Sequence, residues 1–340
     1  MEIVYSPEHH RQHGRAELTD GRLMPVFEHP GRIDAILEAL ARRGFPAPAL
    51  PEDRGLAPMT AVHEPDYIAF LQRAWDEWTA VHGPDGDALP LSWRAPGMRT
   101  DREPERIDGR LGHWSFDAGT PITAGTWAAA SGAAQAAATA RLRVTAGARA
   151  AFALARPPGH HAGSRFFGGY CFLNNAAIAA QGFREAGVPR VAVLDVDYHH
   201  GNGTQQIFAG RADVFTASLH ADPTHTFPFF LGHADETEGG THLNVPLPRG
   251  TDWARYAPAL DGVLAQIERQ EPGALVVSLG VDTWDGDPIC SFALQTADYR
   301  QMGRRIGRLG LPTVIVMEGG YAVESLGDNV AEFLEGFTEA

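Results

Sequence analysis

The sequence predicts a three-layer α/β fold built on one central, mostly parallel sheet. Short, almost wholly apolar runs recur along the second half of the chain, as expected for strands that helices cover on both faces. Stretches with amphipathic or alanine-rich patterns alternate with these runs, which favours repeated strand–helix units. The 340 residues are expected to form one domain.

The individual strands and helices are predicted from the same patterns in chain order. A first strand is expected at residues 1–5, and an alanine-rich helix is expected at 123–142. The apolar runs that we predict as strands are 150–155, 190–196, 213–219, 274–281 and 312–317. The helices that we predict among them are 173–186, 253–269, 296–309 and 323–337.

Residues 81–119 do not follow this alternation. They are rich in glycine, proline and charged residues and show little periodicity, although Trp93 and Trp114 argue against disorder. Two interpretations stay open for this inserted segment. It is either a solvated insertion or a flap that restricts access to a substrate or forms a dimer contact.

The charge balance excludes several classes of function. There are 28 basic and 42 acidic residues, and every basic residue is an arginine. The absence of lysine excludes a Schiff-base lysine and the lysine of a phosphate-binding P-loop. The net charge of −14 disfavours nucleic acid as a partner and suits a small cationic ligand.

The location of the protein is expected to be the cytoplasm. No apolar run reaches the roughly 18 residues of a membrane span, and the first ten residues are too polar for a secretory signal. Cys171 and Cys290 have no zinc-ribbon spacing, so we expect both to be reduced and buried.

Polar residues cluster directly after the predicted strands. These clusters are 156–161, 195–203, 220–222, 282–288 and 318–321. Because open α/β sheets bind ligands beyond the carboxyl ends of their strands, we expect the clusters to converge on one crevice.

Within these clusters, one set of side chains suits a divalent metal ion. Asp197 and His199 are two residues apart at a strand end, so their side chains point to the same side. A carboxylate, an imidazole and a further aspartate suit Zn²⁺ with an open position for water. We choose Asp287 as the third ligand because Pro288 stiffens its loop.

Two further motifs suit acid–base chemistry. The pair His160-His161 follows Pro-Pro-Gly, and histidine is the side chain best suited to act as a base or acid near neutral pH. Tyr321 follows two glycines that permit a tight turn, and its phenol could donate a hydrogen bond to a developing oxyanion.

Together, these motifs resemble the zinc-dependent histone deacetylase family. The matching segments are PPGHHA at 157–162, GGYCFLNN at 168–175, DVDYHHGNGT at 195–204, SLH at 218–220, DP at 287–288 and EGGY at 318–321. Glu17 and the long segment before Trp127 are similar to the bacterial acetylpolyamine amidohydrolase branch of that family.

The resemblance implies an arginase/deacetylase-like fold and a catalytic role for each motif. It implies one Zn²⁺ held by Asp197, His199 and Asp287. It makes His161 the general base and then acid, with His160 beside it and Tyr321 polarising the substrate carbonyl. Asp195 and Asn202 are implied as the partners of the two histidines.

The resemblance also implies a substrate channel and structural K⁺. The channel residues carried over are Glu17, Gly169, Tyr170, Phe227 and Leu294. The residues carried over for an inner K⁺ site are Asp195, Asp197, His199, Ser218 and Leu219. Those for an outer K⁺ site are Phe208, Arg211, Val214 and Tyr256, with Arg211 contributing only its carbonyl.

Two positions depart from the family pattern. Many deacetylases have aspartate where this chain has Asn202, and a neutral amide stabilises imidazolium less than a carboxylate does. The polyamine branch tends to have an acidic rim residue where this chain has Gly119. Asp117 or Asp108 could take its place.

We therefore expect a zinc amidohydrolase that removes acetyl groups from cationic acetylated amines, most simply acetylputrescine, acetylcadaverine or acetylspermidine. A protein acetyl-lysine deacetylase is the alternative with the same chemistry. A two-metal ureohydrolase on a similar fold and a non-catalytic binding protein are alternatives from other classes. We expect a homodimer without a nucleic-acid or membrane partner.

Overall fold

Seven parallel strands form the central sheet of the computed structural model, which describes residues 1–19, 21–99 and 101–340. The strands, including a separate antiparallel hairpin of β2 and β3, are β1 (Glu2–Tyr5), β2 (Glu17–Thr19), β3 (Arg22–Met24), β4 (Ala150–Leu154), β5 (Val191–Asp195), β6 (Val214–Ala221), β7 (His242–Leu247), β8 (Ala274–Leu279) and β9 (Thr313–Met317). The order across the sheet is β1-β4-β9-β8-β5-β6-β7, with parallel neighbours throughout. The carboxyl ends of these strands therefore lie along one edge.

Helices connect the strands and cover the sheet. They are α1 (Gly31–Arg42), α2 (Ala57–Thr60), α3 (Pro65–His82), α4 (Ile107–Trp114), α5 (Thr126–Thr145), α6 (Asn175–Glu185), α7 (Asn202–Phe208), α8 (Trp253–Arg269), α9 (Thr296–Gly307) and α10 (Val323–Glu339), with 3₁₀ turns at Pro7–Arg11 and Glu238–Gly240. Side chains set several helix starts. Asn174 accepts a hydrogen bond from Ala177 N–H at the start of α6, and Asp252 accepts one from Arg255 N–H at the start of α8.

The sheet lies between two helical layers because successive strand residues face opposite sides. In β5, Ala192 and Leu194 belong to one core cluster, whereas Val191 and Val193 belong to another. Helices α1, α8, α9 and α10 complete the first cluster, and α5 and α6 complete the second. This arrangement confirms the predicted three-layer α/β fold with a parallel sheet.

The segment at 81–119 is partly built into the domain. It contains α4, whose Leu111 and Trp114 are buried in a third apolar cluster with α3 and α5. Ala88 exchanges backbone hydrogen bonds with Ile122. Other parts face solvent, including Leu91, which is 82% exposed. Thr100 lies outside the described residues.

Several elements were not predicted, namely β2, β3, β7, α1, α2, α3, α4 and α7. The strand β7 lies at the edge of the sheet and contains Pro246, which interrupts an apolar pattern. Across the part of the chain that the structure describes, none of the helices is both long and apolar enough to cross a membrane.

Candidate active site

A cavity of about 600 Å³ opens at the carboxyl edge of the sheet. Loops that follow β4, β5, β8 and β9 border it. The predicted site residues that line it are Glu17, His161, Gly169, Tyr170, His199, Phe227 and Tyr321. The predicted residues that lie buried behind this wall are His160, Asp195, Asp197 and Asn202. The sheet topology thus brings residues that are more than 300 positions apart to one site.

The two adjacent histidines have different hydrogen-bond partners. His160 Nδ1 lies 2.9 Å from Asp195 Oδ2, and His161 Nδ1 lies 2.6 Å from Asn202 Oδ1. Because an amide oxygen only accepts hydrogen bonds, His161 carries a proton on Nδ1 and, when neutral, keeps a lone pair on Nε2. Since His161 is the one that lines the cavity, it is placed to act as a base.

The surroundings shift the pKa values of the two histidines in opposite directions. Burial alone would lower the pKa of His160, but Asp197 and Asp195 outweigh it and raise that pKa to about 10. Burial, reinforced by the charges of His160 and His199, holds the pKa of His161 well below its usual range. Near neutral pH, the site therefore combines a charged imidazolium with a neutral imidazole.

Asn202→Asp is expected to move the acidic limb of the kcat/KM–pH profile to higher pH. The new carboxylate would favour the imidazolium form of His161 and so raise its pKa, which leaves less of the basic form at low pH. Profiles of the wild type and the variant at equal metal loading test this. An unchanged limb, or one displaced to lower pH, would contradict the role of Asn202 as partner of the base.

Asp197 and His199, both predicted metal ligands, lie together with a second aspartate. One ligand atom each of Asp197, His199 and Asp282 lies within 4.8 Å of the others, and all three side chains are buried. His199 Nδ1 is 3.4 Å from Asp197 Oδ1 and 3.1 Å from Asp282 Oδ2. Burial and the charge of Asp197 raise the pKa of Asp282 to about 7. A divalent cation would neutralise buried carboxylates around an imidazole, and this donor set fits Zn²⁺.

Asp287, the predicted third ligand, lies outside that group of three atoms. Its Oδ2 accepts hydrogen bonds from the backbone N–H groups of Tyr321 and Ala322, at 2.7 and 3.2 Å. The side chain is 7% exposed, and the next residue, Pro288, lines the cavity. The assignment of Asp287 stays a prediction. Asp282, which directly follows the apolar run of β8 and was grouped with the polar clusters, is a second candidate.

Tyr321 is held by an arginine that the sequence did not single out. The Arg32 guanidinium lies 4.7 Å from the centre of the Tyr321 ring and donates hydrogen bonds to the carbonyls of Gly320 and Glu318, each at 2.6 Å. Arg32 is fully buried and paired with Glu28 at 3.0 Å. Burial raises the pKa of Tyr321 well above its usual range, so the phenol keeps its proton and can donate it in a hydrogen bond.

The turn that carries Tyr321 is also bonded to the histidine loop. Glu318 Oε2 accepts hydrogen bonds from the N–H groups of Gly159 and His160, at 2.6 and 3.1 Å. Its Oε1 has no partner among the described residues, and burial raises the pKa of this carboxyl to about 7. Arg156, at the start of the same loop, donates to Glu28 Oε1 at 2.6 Å. The two catalytic loops and α1 thus share one buried polar network.

Gly169 lies directly under the ring of His161. A Cβ atom there would overlap the imidazole, and the positive φ of 55° also favours glycine. Tyr170 has a positive φ of 65°, which directs its ring against Tyr321 at 5.6 Å between centroids. The backbone conformation of Gly169 and Tyr170 therefore fixes the position of one wall of the cavity.

Phe227 forms the opposite wall. Its ring lies 5.1 Å from the ring of His161 at 87°, and it stacks on Phe116 at 5.6 Å. Phe116 belongs to the segment at 81–119, so that segment supports the channel wall. This contact between residues far apart in sequence was not predicted.

Two acidic side chains line the mouth of the cavity. Tyr170 Oη donates a hydrogen bond to Glu17 Oε1 at 3.0 Å, and Asp117 accepts one from Gly169 N–H. Burial raises the pKa of both carboxyl groups, and each is partly stabilised by hydrogen bonds. Such poorly solvated acids are suited to a cationic ligand.

Leu294 does not line the cavity, contrary to the prediction. Its side chain is fully buried in the core cluster that faces α8, α9 and α10. The reason is local pairing, because Leu294 N–H donates to Thr283 O and its carbonyl accepts from Asp285 N–H. These bonds turn the side chain away from the channel.

The residues of the two predicted potassium sites lie in different surroundings. Asp195 and Ser218 are register partners in neighbouring strands and border one small cavity, so the inner site stays a prediction. The outer site also stays a prediction: the side chains of Phe208 and Val214 pack in one core cluster and that of Tyr256 in another, which leaves their backbone carbonyls as the ligands. The Arg211 side chain pairs with Asp213, which leaves only its carbonyl for a cation.

The chain is similar to known proteins along almost its whole length. The Histone deacetylase domain family matches residues 26–337. The chain is 50% identical to acetylpolyamine amidohydrolase 2 of Pseudomonas aeruginosa, covering 99% of this chain and 98% of that protein. It is 46% identical to the acetylpolyamine amidohydrolase of Mycoplana ramosa, over 99% of both. The crystal structure of the Burkholderia pseudomallei acetylpolyamine aminohydrolase superposes with a TM-score of 0.94, at 39% identity, over 99% of this chain and 98% of that one.

Proposed function

The chain belongs to the histone deacetylase family, in its acetylpolyamine amidohydrolase branch, and from this we propose that it is a zinc-dependent deacetylase of acetylated amines. The observation that carries the proposal is the convergence on one cavity of a neutral histidine, a protonated tyrosine and a buried carboxylate–imidazole cluster. These are the groups that hydrolysis of an amide requires.

The metal would be held by Asp197 and His199 together with Asp287 or Asp282. Four buried aspartates, Asp195 included, lie here with three histidines, one of which, His161, is held neutral, so a divalent cation would balance their charge. When bound, Zn²⁺ supplies Lewis-acid polarisation of the acetyl carbonyl and lowers the pKa of water towards ~7.

The protein groups then have distinct tasks. His161 Nε2 takes a proton from the water as its oxygen attacks the acetyl carbon, and the Nδ1–H bond to Asn202 holds the ring in place. Tyr321 donates a hydrogen bond to the oxygen on which negative charge develops. His161 returns its proton to the nitrogen as the C–N bond breaks, which gives acetate and a free amine. His160 lies beside Asp195, with its Nδ1 2.9 Å from Asp195 Oδ2, and this contact holds the second ring in place.

The substrate class is proposed from the side chains that form the walls and the mouth of the cavity. Aromatic side chains at Tyr170 and Phe227 leave a channel suited to a slim alkyl chain. Glu17 and Asp117 at its mouth suit a second, protonated amine. We therefore propose acetylputrescine, acetylcadaverine and acetylspermidine as substrates. A protein acetyl-lysine deacetylase is the alternative, and turnover of acetylputrescine beside an acetyl-lysine peptide distinguishes the two.

Glu17→Gln is expected to lower kcat/KM for acetylputrescine about 10–100-fold, the loss that corresponds to one charged hydrogen bond of 1.5–3 kcal/mol. The same variant should hydrolyse uncharged N-butylacetamide like the wild type, because the amide oxygen of glutamine can still accept the hydrogen bond from Tyr170 Oη and only the negative charge is lost. Asp108→Asn is the matched control, since Asp108 pairs with His82 and does not line the cavity. An equal loss on both substrates would contradict cation recognition by Glu17.

The remaining parts of the proposal concern the assembly. We propose one Zn²⁺ per chain, one K⁺ at the inner site of Asp195 and Ser218, a cytoplasmic location and a homodimer. Exposed apolar side chains near the mouth support the dimer, among them Leu18, Phe229 and Phe230, which are 50%, 50% and 89% exposed.

A further inference from the structure

A second group of metal-ligating side chains lies near the first residues of the chain, outside the cavity. His9 and His10 are in the 3₁₀ turn Pro7–Arg11, and Asp34 is in the first turn of α1. One ligand atom of each lies within 4.8 Å of the others, and His10 Nε2 is 3.5 Å from Asp34 Oδ1. None of the three lines the cavity of the proposed active site.

His9 is the least satisfied of the three. It is only 2% exposed, and neither of its ring nitrogens has a hydrogen-bond partner among the described residues. An unsatisfied buried polar group is destabilising, and native structures normally supply a partner. Burial, followed by the charges of His10 and Arg156, lowers the pKa of His9 to about 3, so the ring is neutral and its lone pair is free for a metal.

We propose that His9, His10 and Asp34 form a second binding site for a divalent ion of the zinc, nickel and copper(II) class. Two imidazole nitrogens and one carboxylate oxygen match the preference of these ions, whereas the absence of a thiolate disfavours copper(I). The ion would give a partner to the buried His9 ring and link the N-terminal turn to α1.

The surroundings leave room for the ligand side chains to move towards a bound ion. The side chains of His10 and Asp34 are 55% and 56% exposed, so both can turn by side-chain rotation while His9 stays fixed. Their exposure also leaves positions for water and lets the ion exchange with solvent. The positive charge of Arg156, which acts on His9, is paired with Glu28 at 2.6 Å.

The test compares metal stoichiometry between variants of the protein without a histidine tag. The purified enzyme, with its native metal content, is dialysed against Ni²⁺, and bound nickel is measured by elemental analysis. The wild type is expected to bind one equivalent more than His10→Ala, and Asp34→Asn should bind at least about 10-fold more weakly. His13→Ala is the matched control, because His13 is an exposed histidine outside the cluster.

Thermal unfolding gives a second readout that does not depend on activity. Ni²⁺ should raise the Tm of the wild type by roughly 2–4 °C more than that of His10→Ala, because binding stabilises the folded state. Equal stoichiometry and equal shifts in the two proteins would overturn the proposal, as would loss of the extra equivalent in His13→Ala. The difference between the variants isolates this site whether or not the catalytic site holds zinc.

Discussion

Replacing Tyr321 by phenylalanine is expected to lower kcat about 10²–10³-fold, the usual effect of removing one donor to a developing oxyanion. The fold and the metal content should not change. The ring that packs against Arg32 at 4.7 Å and against Tyr170 is retained, and the bond to Asp287 comes from the backbone N–H. Steady-state kinetics on acetylputrescine, with metal content measured in parallel, check this prediction.

Tyr170→Phe is the matched control for this experiment. It removes a second phenol from the same cavity, but that hydroxyl is bonded to Glu17 at the mouth. It should change KM for a cationic substrate more than kcat. A Tyr321→Phe enzyme with near-normal kcat would remove Tyr321 from the mechanism.

Asp197→Ala is expected to abolish both metal retention and activity. Asp197 is fully buried, and the cluster around His199 would lose the carboxylate that lies 3.4 Å from the ring nitrogen. Elemental analysis and circular dichroism on the same sample separate loss of metal from loss of fold. Stoichiometric metal in a folded Asp197→Ala protein would refute the ligand assignment.

Two further variants in that experiment identify the third ligand. If Asp287 is the third ligand, as the family resemblance implies, Asp287→Asn should lose the metal. If Asp282, which lies close to Asp197 and His199, is the third ligand, Asp282→Asn should lose it instead. Asp285→Asn is the control, because this neighbouring aspartate is exposed and its side chain accepts a hydrogen bond from Gln295 at 3.3 Å. Retention of metal in both Asp287→Asn and Asp282→Asn would exclude a three-ligand site of this composition.

The sheet was predictable because most of its strands are covered on both faces. Runs such as those of β5 and β8 are continuous in apolar residues, and they need no knowledge of their neighbours to be recognised. By contrast, β7 is an edge strand with alternating burial, and the hairpin of β2 and β3 has only three residues in each strand. Helices α1 and α3 were not predicted because they precede the strand–helix alternation on which the predictions depended.

The active site, like the sheet, was predictable only in part. Pairs such as His160 with Asp195 come from motifs at strand ends, and parallel topology brings those ends together. The contact of Arg32 with Tyr321 joins residues 289 positions apart, and no local pattern marks it. The sequence likewise contains no sign that Phe116 supports Phe227, because stacking between distant loops depends on the completed fold.

The hydrogen bonds that Glu318 accepts from the amides of Gly159 and His160 have an evolutionary consequence. They connect the catalytic loops to the buried core of the protein. The active site therefore loses its structure only when much of the domain unfolds. The mouth, by contrast, is built from a short hairpin and from loops that carry exposed side chains such as Phe230. Substitutions there can accumulate without disturbing the catalytic groups. This separation would allow the same reaction centre to be adapted to new amines by substitutions at the mouth of the cavity.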